Sequence, residues 1–323
     1  MANENYQLRE RLPELDYLKC VFILLMITFH LVYIEQLYPT AKEVVYTFHM
    51  PGFLIISGYL MNVWKSPKSF GRMLLFLAIP YIIMESGYIV MASILHISDH
   101  IDALTPVVFA EKLFIHPLGP YWYLQTMIVC GAIYYFVVHN TKHSVAANML
   151  VIAFAYYLVS RCGIVSLSSA YYFLGGAVLR MTGIRFTHFF SKTLVSVFAF
   201  IVLVACVDTY DRATIEGVFI VYCAICMLLY FFKFIKGRLR ELLTFLGRNS
   251  LVLYIFSPIF TILCKKMVPY LQFDPTGMIF LALSLVVCVG GSLLIAFILD
   301  KTRLSLFIFG KRKVISPFAE NKQ

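Results

Sequence analysis

Residues 276–299 read TGMIFLALSLVVCVGGSLLIAFIL, a run without a single Asp, Glu, Lys, Arg or His. About 20 largely apolar residues make a helix long enough to cross the hydrocarbon core of a bilayer, so this stretch predicts a transmembrane span. Working outward, nine further apolar runs predict spans over 16–36, 43–64, 70–95, 119–138, 143–160, 166–182, 187–208, 214–235 and 241–264. Turn-forming chemistry separates many of them: Ser66-Pro67, the segment from Ser98 to Pro120, Thr182-Gly183, Asp208 to Arg212, and Asp274-Pro275. The expected fold class is an all-α integral membrane bundle of about ten helices. It forms one domain over 1–323, with an N-terminal segment 1–15 and a basic tail 300–323.

Composition agrees. Apolar residues make up 61% of the 323 positions and charged residues 14%, whereas soluble domains are near half apolar and a quarter charged. The net charge of +10 comes from short basic clusters between apolar runs, with no basic-aromatic module for nucleic acid. Of the 27 Lys and Arg, 21 fall on the side that holds both termini of a ten-span chain, which predicts cytoplasmic termini by the positive-inside rule. Nearly all eight cysteines sit in apolar runs and read as small hydrophobes; the Cys223-x-x-Cys226 spacing lacks the second pair or histidines of a metal site. No disulfide framework and no metal are expected. The polar N-terminus, with Arg9, Glu10, Arg11 and Glu14, is unlike a cleavable signal peptide, so the first helix is expected to be retained.

Ionisable groups inside apolar runs are costly and therefore informative, at roughly 2.5–3.5 kcal/mol for a charge at a helix centre on insertion scales. Lys19 and His30 lie eleven residues apart in the first run, close to three turns and about 16 Å along a helix. That spacing suits a phosphate contact near the cytosol and an imidazole deeper in the membrane. A helix-packing hydrogen bond explains His30 equally. His49 precedes Met50-Pro51-Gly52 at the outer end of the second run, where an interfacial structural role competes with a functional one. Glu85, within the third run, needs a partner, a proton or water; it fits either an orienting group for His30 or a polar bridge between helices. Tyr121-Trp122-Tyr123-Leu124-Gln125 fits an aromatic belt or a sugar platform. Arg248, in Leu246-Gly247-Arg248-Asn249-Ser250, satisfies the charge rule and also fits a phosphate.

Four features together resemble acyltransferase family 3, the integral membrane acyltransferases that include fucose 4-O-acetyltransferases and polysaccharide O-acetyltransferases. They are Leu15-Asp16-Tyr17-Leu18-Lys19 with His30, Met50-Pro51-Gly52-Phe53 through Ser57-Gly58-Tyr59-Leu60, Tyr121-Trp122-Tyr123-Leu124, and Leu246-Gly247-Arg248-Asn249-Ser250-Leu251 with Tyr254. Three departures stand out. Lys19 replaces the family's usual arginine, only Lys68 and Arg72 precede Pro80 where many members carry a close Arg pair, and Ser257-Pro258 stands where members often have histidine.

The resemblance implies an acyl-CoA donor, most often acetyl-CoA, arriving from the cytoplasm, and a glycan or glycolipid hydroxyl as acceptor. On that footing His30 is the expected general base and Glu85 its orienting partner. Lys19, Arg72 and Arg248 are expected to hold CoA phosphates, and His49, Ser57, Trp122 and Gln125 to meet the acceptor. Membrane lipid is the other expected partner, and the expected localisation is the bacterial inner membrane, multi-pass. The rival reading is a transporter or flippase of a lipid-linked sugar. Its usual marks, internal repeats and matched broken helices, are absent from the sequence.

Overall fold

The computed structural model describes residues 12–94, 100–141 and 144–318. Parts of the N-terminal segment 1–15 and the tail 300–323, together with Lys142 and Ser98, lie outside the described residues. The described chain is helical throughout: α1 (Pro13–Phe29), α2 (Val32–Leu37), α3 (Pro39–Leu60), α4 (Pro67–Ile94), α5 (Pro106–Phe114), α6 (Trp122–Asn140), α7 (Val145–Arg161), α8 (Leu167–Met181), α9 (Phe186–Phe189), α10 (Val195–Cys206), α11 (Ile215–Phe232), α12 (Gly237–Arg248), α13 (Ser250–Cys264), α14 (Val268–Leu271), α15 (Met278–Lys301) and α16 (Ser305–Phe309).

Local chemistry sets many of these boundaries. Helices α1, α3, α4 and α5 each open on a proline, whose missing N–H costs nothing in the first turn. Thr105, Ser144 and Thr214 accept from the backbone amides of Val108, Ala147 and Gly217, capping α5, α7 and α11.

Among the described residues five segments are long and apolar enough to cross a membrane: Pro67–Ile94, Gly119–Asn140, Ile215–Phe232, Ser250–Leu271 and Met278–Lys301. Leu150, Phe154, Phe198, Val202, Val286, Leu294 and Phe297 are each more than half exposed. Apolar side chains so placed suit lipid rather than water.

Three expected spans are divided, the run 187–208 into α9 and α10 with non-helical chain from Phe190 to Leu194 between them. The run 16–36 breaks between α1 and α2, where Leu31 takes an extended conformation and the backbone N–H of His30 closes the last turn on Met26 and Ile27. The run 241–264 breaks at Asn249 between α12 and α13. Apolar Leu31 and Val32 continue past the first break, so composition conceals it, whereas the polar Arg248-Asn249-Ser250 marks the one at Asn249.

The chain clusters into two units. The first comprises Met1–Phe53, Arg185–Arg303 and Lys313–Gln323, the second Leu54–Ile184 and Leu304–Arg312. In the first, a Cβ added at Gly247 would lie 1.6 Å from the Asp16 carbonyl oxygen, so α12 meets α1 backbone to backbone. Tyr17 of α1 stacks on Phe232 of α11, ring centres 4.8 Å apart. In the second unit, the end of α3 crosses α8 through reciprocal glycines: a Cβ at Gly58 would lie 2.0 Å from the Phe173 oxygen, and one at Gly176 1.9 Å from the Ile55 oxygen. Small residues at helix crossings bring backbones into van der Waals contact, the main attraction between helices where lipid removes the hydrophobic drive.

Candidate active site

In the first unit, His30 caps the C-terminus of α1. Its ring Nδ1 lies 2.7 Å from the Met26 carbonyl oxygen. A carbonyl only accepts, so Nδ1 carries the proton and Nε2 of the neutral ring carries the lone pair. His49 of α3 repeats the arrangement with Val45, again at 2.7 Å. Both imidazoles are thus held in the tautomer whose outward nitrogen can take a proton.

Tyr46 stands between them. Its ring centre is 6.3 Å from that of His30 and 5.2 Å from that of His49. Its hydroxyl donates to the Phe29 carbonyl at 3.1 Å. Lys42 pairs with Glu35 of α2 and places its ammonium 5.2 Å from the Tyr46 ring centre. Lys42, Tyr46 and His49 recur at i, i+4 and i+7, so one stripe of α3 carries all three. That spacing is the sequence signal by which Tyr46 and Lys42 were open to discovery. His30 keeps partial exposure while His49 is buried.

Lys19 and Arg248 lie at the other end of α1. Lys19 pairs with Asp16 at 2.7 Å, and Asp16 is the residue whose backbone Gly247 abuts. Arg248 donates through Nη2 to the Phe318 carbonyl at 3.0 Å and through Nε to the Thr244 carbonyl at 3.3 Å. Asn249 accepts from the Ser316 amide at 2.8 Å, and the Asp300 carboxylate accepts from the amides of Val314 and Ile315. The tail from 313 to 318 is thereby strapped across the end of α12.

The remaining expected site residues belong to the second unit. Glu85 is fully buried and accepts from the Leu118 amide at 2.6 Å. Gln125 donates to the carbonyls of Phe114 and Ile115, at 2.7 and 3.3 Å, and Tyr81 donates to that of Leu113 at 2.7 Å. Glu85 and Gln125 therefore both grip the segment between α5 and α6. Ser57 and Tyr123 share a hydroxyl–hydroxyl hydrogen bond of 2.6 Å. Trp122, half-buried, opens α6, and Arg72 is exposed on α4. Among the described residues no group of three His, Cys, Asp or Glu is placed to hold a metal ion.

Compared with known proteins, the chain matches over residues 12–299 a family model described as an acyltransferase domain, the third acyltransferase family. No curated protein and no solved structure matches. The matched stretch runs from the residue before α1 to the last turn of α15.

Proposed function

Because the chain belongs to acyltransferase family 3, we propose that it is a multi-pass membrane O-acyltransferase moving an acetyl or other short acyl group from acyl-CoA to a hydroxyl of a cell-surface glycan or glycolipid. The observation that carries this reading is the fixed tautomer of His30, whose Nδ1 is committed to Met26 while the residue keeps partial exposure. Nε2 takes the acceptor hydroxyl proton as the oxygen attacks the thioester carbon. The C–O bond forms, the C–S bond breaks, and the imidazolium returns its proton to the leaving thiolate. General base catalysis of this kind contributes on the order of 10²–10⁴-fold.

In this reading Glu85 favours the imidazolium form of His30, and its bond to Leu118 fixes the carboxylate. Lys19, Arg72 and Arg248 hold the phosphates of CoA by charge-assisted hydrogen bonds. His49, Ser57, Trp122 and Gln125 meet the acceptor. The matching topology has ten crossings with both termini in the cytoplasm, and the host membrane is the bacterial inner membrane.

The test is thiol release and acylated product from acetyl-CoA and candidate acceptors, measured on the purified protein and on His30→Ala at equal membrane expression. Loss of transfer in the variant is the expected result. Undiminished transfer removes His30 from the mechanism.

A further inference from the structure

At the start of α4 the second unit gathers cations around one helical turn. Met73 and Phe76 are three residues apart and so share a face of α4. Lys65 places its Nζ 3.9 Å from the Met73 sulfur, and Lys311 places its Nζ 3.3 Å from the Phe76 ring centre. The two ammonium groups thus occupy neighbouring positions on one side of the helix. Arg72, four residues before Phe76, and Lys68, four before Arg72, extend that side. All four cations are exposed.

The scaffold beneath them is fixed. Phe309 packs on Phe76 with ring centres 6.2 Å apart. Tyr135 donates to the Lys65 carbonyl at 3.1 Å and stacks on Phe70 at 3.9 Å. Beside Lys65, Trp64 receives the Arg180 guanidinium 5.4 Å from its ring centre, and the buried Nε of Arg180 has no hydrogen-bond partner among the described residues.

Nothing anionic among the unit's described residues balances this group. Its carboxylates among the described residues are Glu85, Asp102 and Glu111. Glu85 lies nine residues beyond Phe76, about 13 Å along the helix, and the other two follow the far end of α4. Burial, and then the nearby charge of Lys65, hold the Lys311 ammonium below the usual lysine range. A topology signal needs only cations on one side of the membrane. It does not need two of them packed over adjacent positions of one turn, where their mutual repulsion favours a bound anion.

We propose that Lys65, Lys311 and Arg72, flanked by Arg180, form a binding site for a phosphate group, carried either by an anionic phospholipid headgroup or by CoA. Lysine and arginine recognise phosphate by charge-assisted hydrogen bonds, and basic clusters at the edge of membrane helices take anionic headgroups. The site stands without the acyltransferase reading; only the CoA source rests on it.

The experiment uses the full chain in nanodiscs. One arm compares melting temperature in phosphatidylcholine alone with phosphatidylcholine plus phosphatidylglycerol. The other adds CoA, 3′-dephospho-CoA or pantetheine to phosphatidylcholine nanodiscs. The expected result is a rise in melting temperature in at least one arm, lost in Lys65→Gln/Lys311→Gln. Response to phosphatidylglycerol assigns the headgroup, and response to CoA but not pantetheine assigns the donor. If the double variant does not fold, Lys311→Gln alone is read the same way. No response in either arm, or a full response in the variant, overturns the site. Neither outcome bears on His30, whose test is acyl transfer itself.

Discussion

Tyr46 donates its hydroxyl hydrogen to the carbonyl of Phe29, 3.1 Å away, and Phe29 is the residue immediately before His30. The tyrosine of α3 thereby ties down the end of α1 at the point where the helix stops. Backbone groups at a helix end have no intrahelical partner, so this bond and the one from His30 Nδ1 to Met26 together decide where the imidazole points. The orientation of the His30 ring is for this reason coupled to Tyr46.

Tyr46→Phe removes the hydroxyl and keeps the ring between the two imidazoles. One such hydrogen bond is worth about 1 kcal/mol net, and a barrier raised by that amount slows a reaction about fivefold. Acyl transfer is expected to slow by that order, with the donor KM unchanged. Steady-state kinetics at varied acetyl-CoA check the split.

Adjacent glycines of α8 make a paired test of helix crossing. A Cβ at Gly176 would lie 1.9 Å from the Ile55 carbonyl oxygen, a backbone atom that cannot swing aside, while one at Gly175 meets nothing within 4 Å. Gly176→Ala is expected to cost about 3 kcal/mol or more, seen as loss of the monodisperse peak in detergent chromatography. Gly175→Ala is expected to be neutral or to stabilise by up to about 1 kcal/mol through helix propensity.

These two elements also mark what the sequence conveys. The helices are legible because apolar runs persist over the required length, as in 276–299 and its realisation as α15. Gly58 and Gly176 are visible as glycines, but that they face each other depends on the rotation of α8, which no local signal fixes. The pairing of His30 with His49 through Tyr46 is of the same kind: spacing along α3 groups Lys42, Tyr46 and His49, yet the partner helix is not encoded there. Glu85 illustrates a further gap. Its burial is foreseeable from the surrounding apolar residues, while its bond to the amide of Leu118, 33 residues onward, is a property of the folded loop.

Asp274 makes folding sensitive to acid. Its exposed carboxylate accepts from the Ile279 amide at 2.9 Å and from Thr276 through amide and hydroxyl at 2.9 and 2.6 Å, bridging the turn into α15. These bonds, that from Ile279 first, lower its pKa in the folded state. A depressed folded pKa contributes stability above the unfolded value of about 3.9 and loses it as pH falls through the folded value. The melting temperature is therefore expected to drop on acidification below about pH 4, and less steeply in Asp274→Asn. Thermal scans across that range make the comparison.

Glu85→Gln separates anchoring from charge. Glutamine keeps an oxygen for the Leu118 amide, so the melting temperature is expected to hold, whereas Glu85→Leu removes that acceptor and is expected to lower stability by about 1–3 kcal/mol. If the carboxylate charge supports His30, Glu85→Gln loses activity on the order of 10–100-fold, the scale on which groups that orient a functional histidine act. Full activity in Glu85→Gln reduces Glu85 to its grip on the loop.

Arg248 commits part of its guanidinium to the tail. Its Nη2 donates to the Phe318 carbonyl at 3.0 Å, and the Phe318 ring packs 5.2 Å from that of Phe245. Truncation after Ser316 removes both contacts but leaves the bonds of residues 314–316 to Asp300 and Asn249, so the strap itself stays in place. A hydrogen bond to a charged group is worth about 1.5–3 kcal/mol, part of which water restores to the released guanidinium. Donor KM is therefore expected to fall in the truncated chain by up to about tenfold, with little change in kcat. Arg248→Gln should abolish that gain when combined with the truncation, because the released group is then absent. An unchanged KM in the truncated chain would mean that Arg248 serves the tail alone.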